Sequence, residues 1–169
     1  MSKTFSTLPN PVESDANLTS ALAQIGAEVD NQPLRSSALA RIMRETFHGS
    51  DAGGAWDWRM AYDLMQAAAV QVLLRGEGAA GDIATAKQIA SRLLTETRRS
   101  EQQIRLQQFS TPLAFATMAV RAAAIRKGET VLEPSAGTGA LAAFAARAGA
   151  MLLLNEIDPF RQRLLRAVF

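Results

Sequence analysis

The segment Thr130-Val-Leu-Glu-Pro-Ser-Ala-Gly-Thr-Gly139 constrains this chain more than any other stretch. A short apolar run meets a carboxylate, then a glycine turn, then an alanine-rich stretch suited to a helix. That order builds a nucleotide-sized site at the carboxyl end of a parallel strand. Gly137 and Gly139 let the backbone turn tightly and approach a ligand closely. A second apolar run, Met151 to Glu156, follows a helix expected from Thr138 to Ala148 and closed by Gly149. Asp158 and Pro159 then supply a capping oxygen and a proline at the first helical position. With a further helix expected from Thr111 to about Arg126, the order is helix, strand, helix, strand, helix. It predicts an α/β fold with parallel strands and a right-handed crossover.

The ligand class follows from Glu133. A dinucleotide brings a pyrophosphate to such a turn, and a fixed negative charge there repels it. S-adenosylmethionine brings an ammonium, a sulfonium and an adenosine, so a carboxylate helps. Glu133 is expected to accept from the ammonium, beside a turn formed by Pro134, Ser135, Ala136, Gly137 and Gly139. Glu156 lies about 17 residues beyond Gly139, the separation of an acid that binds both ribose hydroxyls. Ile157 is placed to cover one face of the adenine. The alternatives are bland: a surface carboxylate at a strand end for Glu133, a helix-capping acid for Glu156.

Composition narrows the chemistry. The 169 residues contain no cysteine and one histidine, which excludes disulfides, thiolate sites, a cysteine nucleophile and a multi-histidine zinc cluster. A net charge of +2 does not by itself point to nucleic acid. No apolar run reaches the ~18 residues of a membrane span, and the amino terminus lacks the order of a signal peptide. A cytoplasmic protein with no membrane association and no metal site is expected.

Three parts are expected along the chain. Residues 1–17, rich in Ser, Thr, Pro and Asn, read as a flexible tail. Residues 18–100 show helical spacing: Leu18, Leu22, Ile25 and Val29, then Leu39, Ile42, Met43 and Phe47, then Tyr62, Met65, Ala69 and Val72, then Ile83, Ala86, Ala90 and Leu93. They predict a four-helix module whose last helix ends in the basic turn Arg98–Arg99. Residues 101–169 carry the ligand-binding half.

Several features have competing readings. Gly76-Glu-Gly-Ala-Ala-Gly81 has the spacing of a dinucleotide motif but follows a helix, so it reads as a helix–helix loop. Trp56 and Trp58 suit either base stacking or packing at a helix start. His48 reads as the end of a helix. Arg98, Arg99, Arg105, Arg121, Arg126 and Lys127 are scattered, which fits a solvated face better than a DNA-backbone groove.

Gln107-Gln-Phe-Ser-Thr-Pro112, Val131 to Gly139 and Asn155-Glu-Ile-Asp-Pro159 together resemble the amino-terminal part of adenine-N6 DNA methyltransferases of the gamma order. The resemblance implies the first half of a Rossmann-like methyltransferase domain. It also implies that Phe109, Ser110, Thr111 and Pro112 contact the methionine end of the cofactor. A helix start at Thr111 is compatible, since its free amides suit a carboxylate. Gly49-Ser-Asp-Ala-Gly-Gly-Ala-Trp-Asp-Trp58 and Thr97-Arg-Arg-Ser-Glu101 extend the likeness to large bacterial proteins of the strawberry notch type, which join a methylase-like domain to a helicase-like ATPase.

Methylases of this kind hold the flipped-out base with an Asn/Asp-Pro-Pro-Tyr/Phe tetrapeptide. None occurs in the chain, and neither does a Walker-type phosphate loop. No catalytic residue is therefore assigned. The expectation is an amino-terminal, S-adenosylmethionine-binding fragment, inactive alone. It would engage DNA and transfer a methyl group through the longer protein, with the rest of the methylase and a helicase-like portion as partners. A non-catalytic DNA-engaging module and a dinucleotide-binding fragment remain as alternatives.

Overall fold

A computed structural model describes residues 11–76, 83–97 and 110–169. It is mainly helical, with two short parallel strands in one small sheet. We number the elements α1 (Pro11–Asn31), α2 (Ser36–Thr46), α3 (Trp58–Arg75), α4 (Ile83–Ser91), α5 (Leu113–Ala122), β1 (Thr130–Glu133), α6 (Ala140–Arg147), β2 (Met151–Leu154) and α7 (Pro159–Val168).

The four helices expected before residue 100 are all present. Leu18, Leu22, Ile25 and Val29 line the buried side of α1, and Leu39, Ile42 and Met43 that of α2. The apolar surface of α3 is broader than its expected stripe. Ala61, Leu64, Ala67, Ala68, Val70 and Leu73 are buried along with Tyr62, Met65, Ala69 and Val72. A helix apolar on every side belongs in an interior. α3 packs against α1 and α4 of its own module and against α6 and α7 of the strand-bearing half.

Local chemistry moves several boundaries. α1 begins at Pro11, so 11–17 are not part of a tail; proline suits a first helical turn, where its missing N–H has no partner to lose. Residues 1–10 lie outside the described set. α4 ends at Ser91, short of Leu93 and of the basic turn, whose Arg98 and Arg99 are also outside it. Thr111 does not cap α5. Pro112 occupies the cap position itself, extended at ψ 136° and with no side-chain hydrogen bond, so the helix starts one residue later, at Leu113. α5 stops at Ala122, and Ala124 follows at φ +50°. α6 starts at Ala140 rather than Thr138, because Gly137 and Gly139 take φ of +57° and +91°, left-handed geometry that a right-handed helix cannot contain.

The strands run parallel in the register Thr130↔Met151 to Glu133↔Leu154. β2 is shorter than expected, ending at Leu154. Beyond it Asn155 still donates its amide to the Glu133 carbonyl at 2.9 Å, after which Glu156 turns inward. α6 packs on both strands. Alternate residues therefore differ: Leu132, Met151 and Leu153 lie exposed on one face, while Val131, Leu152 and Leu154 are half-buried on the other.

Among the described residues several side-chain links fasten the halves together, the Gln71–Ala167 bond and the Arg163–Asp15 pair included, and two clusters of them bear on the strand-bearing half's turns. Arg147, in the last turn of α6, donates to the carbonyls of Leu73 and Gly76 at the end of α3; a cation there satisfies orphan carbonyls and opposes the negative helix end. Near the start of α3, Arg59 and Asp63 meet Asp158 and Arg161 of the α7 start.

Trp56 and Trp58 take the packing role. Their rings meet edge-on at 5.6 Å, and Trp56 Nε1 donates to the Gly49 carbonyl at 3.0 Å. His48 sits just past the α2 cap at φ +54°. Among the described residues no helix is long and apolar enough to cross a membrane.

Candidate functional site

The turn between β1 and α6 is held by backbone bonds that its sequence permits. Gly139 donates its amide to the Ala136 carbonyl at 2.8 Å, and Ala136 donates to the Asn155 carbonyl at 2.9 Å. Gly139 has no side chain to cap α6. The Glu133 carboxyl lies near the first turn of α6, where the Ala142 amide favours its ionised form and a carboxylate meets the positive helix end. This was not foreseen: Glu133 faces a helix start as well as being a candidate ligand acceptor. Its Oε2 is buried with no hydrogen-bond partner in the structure. Burial pushes its carboxyl up to about 7, against the lowering from the Ala142 amide.

Glu156 crosses from the end of β2 to the glycine turn. Its Oε2 accepts from the amide of Gly137 and its Oε1 from the amide of Asp158, both at 2.8 Å. The side chain thus locks the turn to the start of α7 and is only 8% exposed. Each carboxylate oxygen has a second lone pair, so both keep one acceptor direction beyond the amide they hold. Ile157, by contrast, is 76% exposed. The structure brings Glu133, Ala136, Gly137, Gly139 and Glu156 into one bonded unit, with Pro134 and Ser135 exposed at its rim.

The Phe109–Pro112 segment is described only in part. Phe109 lies outside the described residues; Ser110 is half-buried, and Thr111 and Pro112 are exposed. The helix they lead into, α5, packs beside α6. A groove of about 440 Å³ opens between the end of β2 and α7, lined in part by Asn155, Glu156, Gln162, Arg166 and Phe169. Glu133 does not line it.

Sequence reasoning missed four contributors. Asn155 donates its side-chain amide to the Pro134 carbonyl at 3.0 Å, pinning the turn from the second strand. Gln162 reaches back to the Glu156 carbonyl at 2.6 Å. Phe169 presses on the turn: a methyl group built on Gly139 would stand 2.6 Å from its ring. Arg59 forms an ion pair with Asp158 from ninety-nine residues away. Of these only Asn155 had a local signal, through its place at the strand end. Burial alone would raise the Asp158 carboxyl, but the Arg59 guanidinium and the Arg161 and Phe160 amides outweigh it and hold it below the usual range.

Among the described residues no cluster of His, Cys, Asp or Glu could hold a metal ion. Comparison with known proteins returns no match to a family model, to a curated protein or to a solved structure.

Proposed function

We propose that this chain binds S-adenosylmethionine through the turn between β1 and α6, as the methyl-donor half of a Rossmann-like DNA amino-methyltransferase. The observation that carries the reading is the Glu156 carboxylate, which holds the Gly137 amide while keeping lone pairs free. An acid at the end of the second strand, bonded to the glycine turn, has the placement that ribose recognition needs. The exposed Ile157 beside it offers an apolar surface to a purine. The adjoining groove of about 440 Å³ falls within the range of small-molecule sites.

Glu133 favours this ligand over a dinucleotide. Its partnerless Oε2 suits an ammonium, and in its ionised form, favoured above about pH 7, its charge opposes a pyrophosphate. Ser110, Thr111 and Pro112, with Phe109, are assigned to the methionine end by resemblance alone. Methyl transfer to adenine N6, engagement of DNA, a helicase-like partner portion and a cytoplasmic location belong to the same proposal.

Isothermal titration of the chain with S-adenosylmethionine, S-adenosylhomocysteine and NAD tests the reading. Binding of the first two without the third is expected. Binding of NAD alone, or of none, overturns it.

A further inference from the structure

The four-helix module carries charged side chains that the ligand reading does not use. Asp63, on α3, is buried, and its Oδ1 accepts from Arg161 Nε at 3.1 Å and Nη2 at 2.8 Å. Arg59, one turn earlier, pairs with Asp158 and lies 3.9 Å from the second oxygen of Asp63. Asp158 in turn caps α7, accepting from the amides of Phe160 and Arg161 at 3.0 and 3.1 Å. Two acids and two arginines thus alternate around the first turn of α7, half of them supplied by α3.

From this arrangement we infer that Arg59 and Asp63 are positioning residues for Glu156, so that the helical module is part of the ligand site. The inference rests on the S-adenosylmethionine reading above. Glu156 Oε1 takes its hydrogen bond from the backbone amide of Asp158. The direction of that amide is set by the residue whose side chain Arg59 holds. Gly137, on the other oxygen, is fixed only as well as Glu156 is. Loss of Arg59 removes the bond to Asp158 Oδ2 and leaves the side chain held through Oδ1 by the Phe160 and Arg161 amides, which loosens the 156–158 backbone and misdirects the carboxylate that would meet the ribose. Asp63 acts one step further back, by holding Arg161 in the same turn. Charge-assisted bonds of this kind are shared across the module boundary, and precise sites depend on supporting residues that lock their orientation.

The test compares Arg59→Gln, Asp63→Asn and Arg59→Lys with Ile42→Ala, a buried module residue on α2. Each is titrated with S-adenosylhomocysteine at a temperature where circular dichroism shows it folded, and the Gly137 and Asp158 amide resonances are followed by NMR. Arg59→Gln should weaken binding about tenfold, the size expected for one charge-assisted hydrogen bond, and move both amide resonances upfield. Asp63→Asn keeps the shape of the side chain and serves if Arg59→Gln fails to fold; a smaller loss in the same direction is expected. Arg59→Lys should restore most of the affinity, and Ile42→Ala should lose stability without losing affinity. Wild-type binding with undiminished affinity in Arg59→Gln and Asp63→Asn overturns the inference and leaves the ligand reading standing. Absence of binding by the wild type overturns that reading instead, and the two amide resonances then decide whether α3 positions Glu156 at all.

Discussion

The two halves of this molecule solve burial differently. α1 to α4 close on one another, and the apolar positions of each turn inward, down to a central α3 buried along most of its length. The strand-bearing half covers one face of its sheet with α6 and leaves Leu132, Met151 and Leu153 open on the other. A helix completes its backbone hydrogen bonds within itself, so a helical module needs only matching stripes to be finished. A strand completes them through neighbours, and two strands leave free edges and a face. The ligand turn sits on the half with the open sheet face but is fastened to the helical module through Arg147, Arg59 and Asp63.

The largest way to break this comparison is at the fastening. Asp63→Ala removes the carboxylate paired with Arg161, which is 3% exposed; removing one member of a buried pair costs about 3–5 kcal/mol, read as a lower midpoint in urea unfolding. Leu22→Ala, inside the module, should cost about 2–5 kcal/mol. Leu153→Ala, on the open face at 57% exposure, should stay within about 0.5 kcal/mol of wild type by the same measurement. Equal losses at Leu22 and Leu153 would erase the distinction between the halves.

Glu133 sharpens it through pH. Its carboxyl is raised in the folded chain from 4.5 to about 7. The stabilisation tied to its protonated form is therefore complete below about 4.5 and is lost as pH rises through about 7. Glu133→Gln should flatten that part of the stability profile between pH 4.5 and 7.5, measured by thermal unfolding. Affinity for a cationic ligand should run the other way in the wild type, falling as pH drops below about 7. The smallest effect is expected at the exposed Arg41–Glu45 pair, 3.1 Å apart on α2, where Glu45→Gln should change stability by no more than about 0.5 kcal/mol.

Features decided within a few residues were legible. Asp158 caps α7 with Pro159 at its start, as cap-then-proline order requires. The glycine turn between β1 and α6 and the buried stripes of α1 and α2 were legible for the same reason. The helix expected to start at Thr111 starts two residues later because the chain stays extended through Pro112, at ψ 136°. The tail was misread at 11–17 because its polar residues hid a helix start. Contacts across the fold left no sequence signal. Nothing near Glu133 names Ala142 as the amide beside it, and nothing near Asp158 names Arg59. Those pairings follow from how α3, α6 and α7 pack, and the exposed Leu132 looks like a core residue in any one-dimensional reading.

The central claim is that Glu156 ties the glycine turn to a bound nucleoside. Calorimetric titration of wild type and Glu156→Ala with S-adenosylhomocysteine, both verified as folded, tests it most directly. At least a tenfold loss of affinity is expected from the missing charge-assisted bonds to the ribose. Wild-type binding that survives unchanged in Glu156→Ala would contradict it.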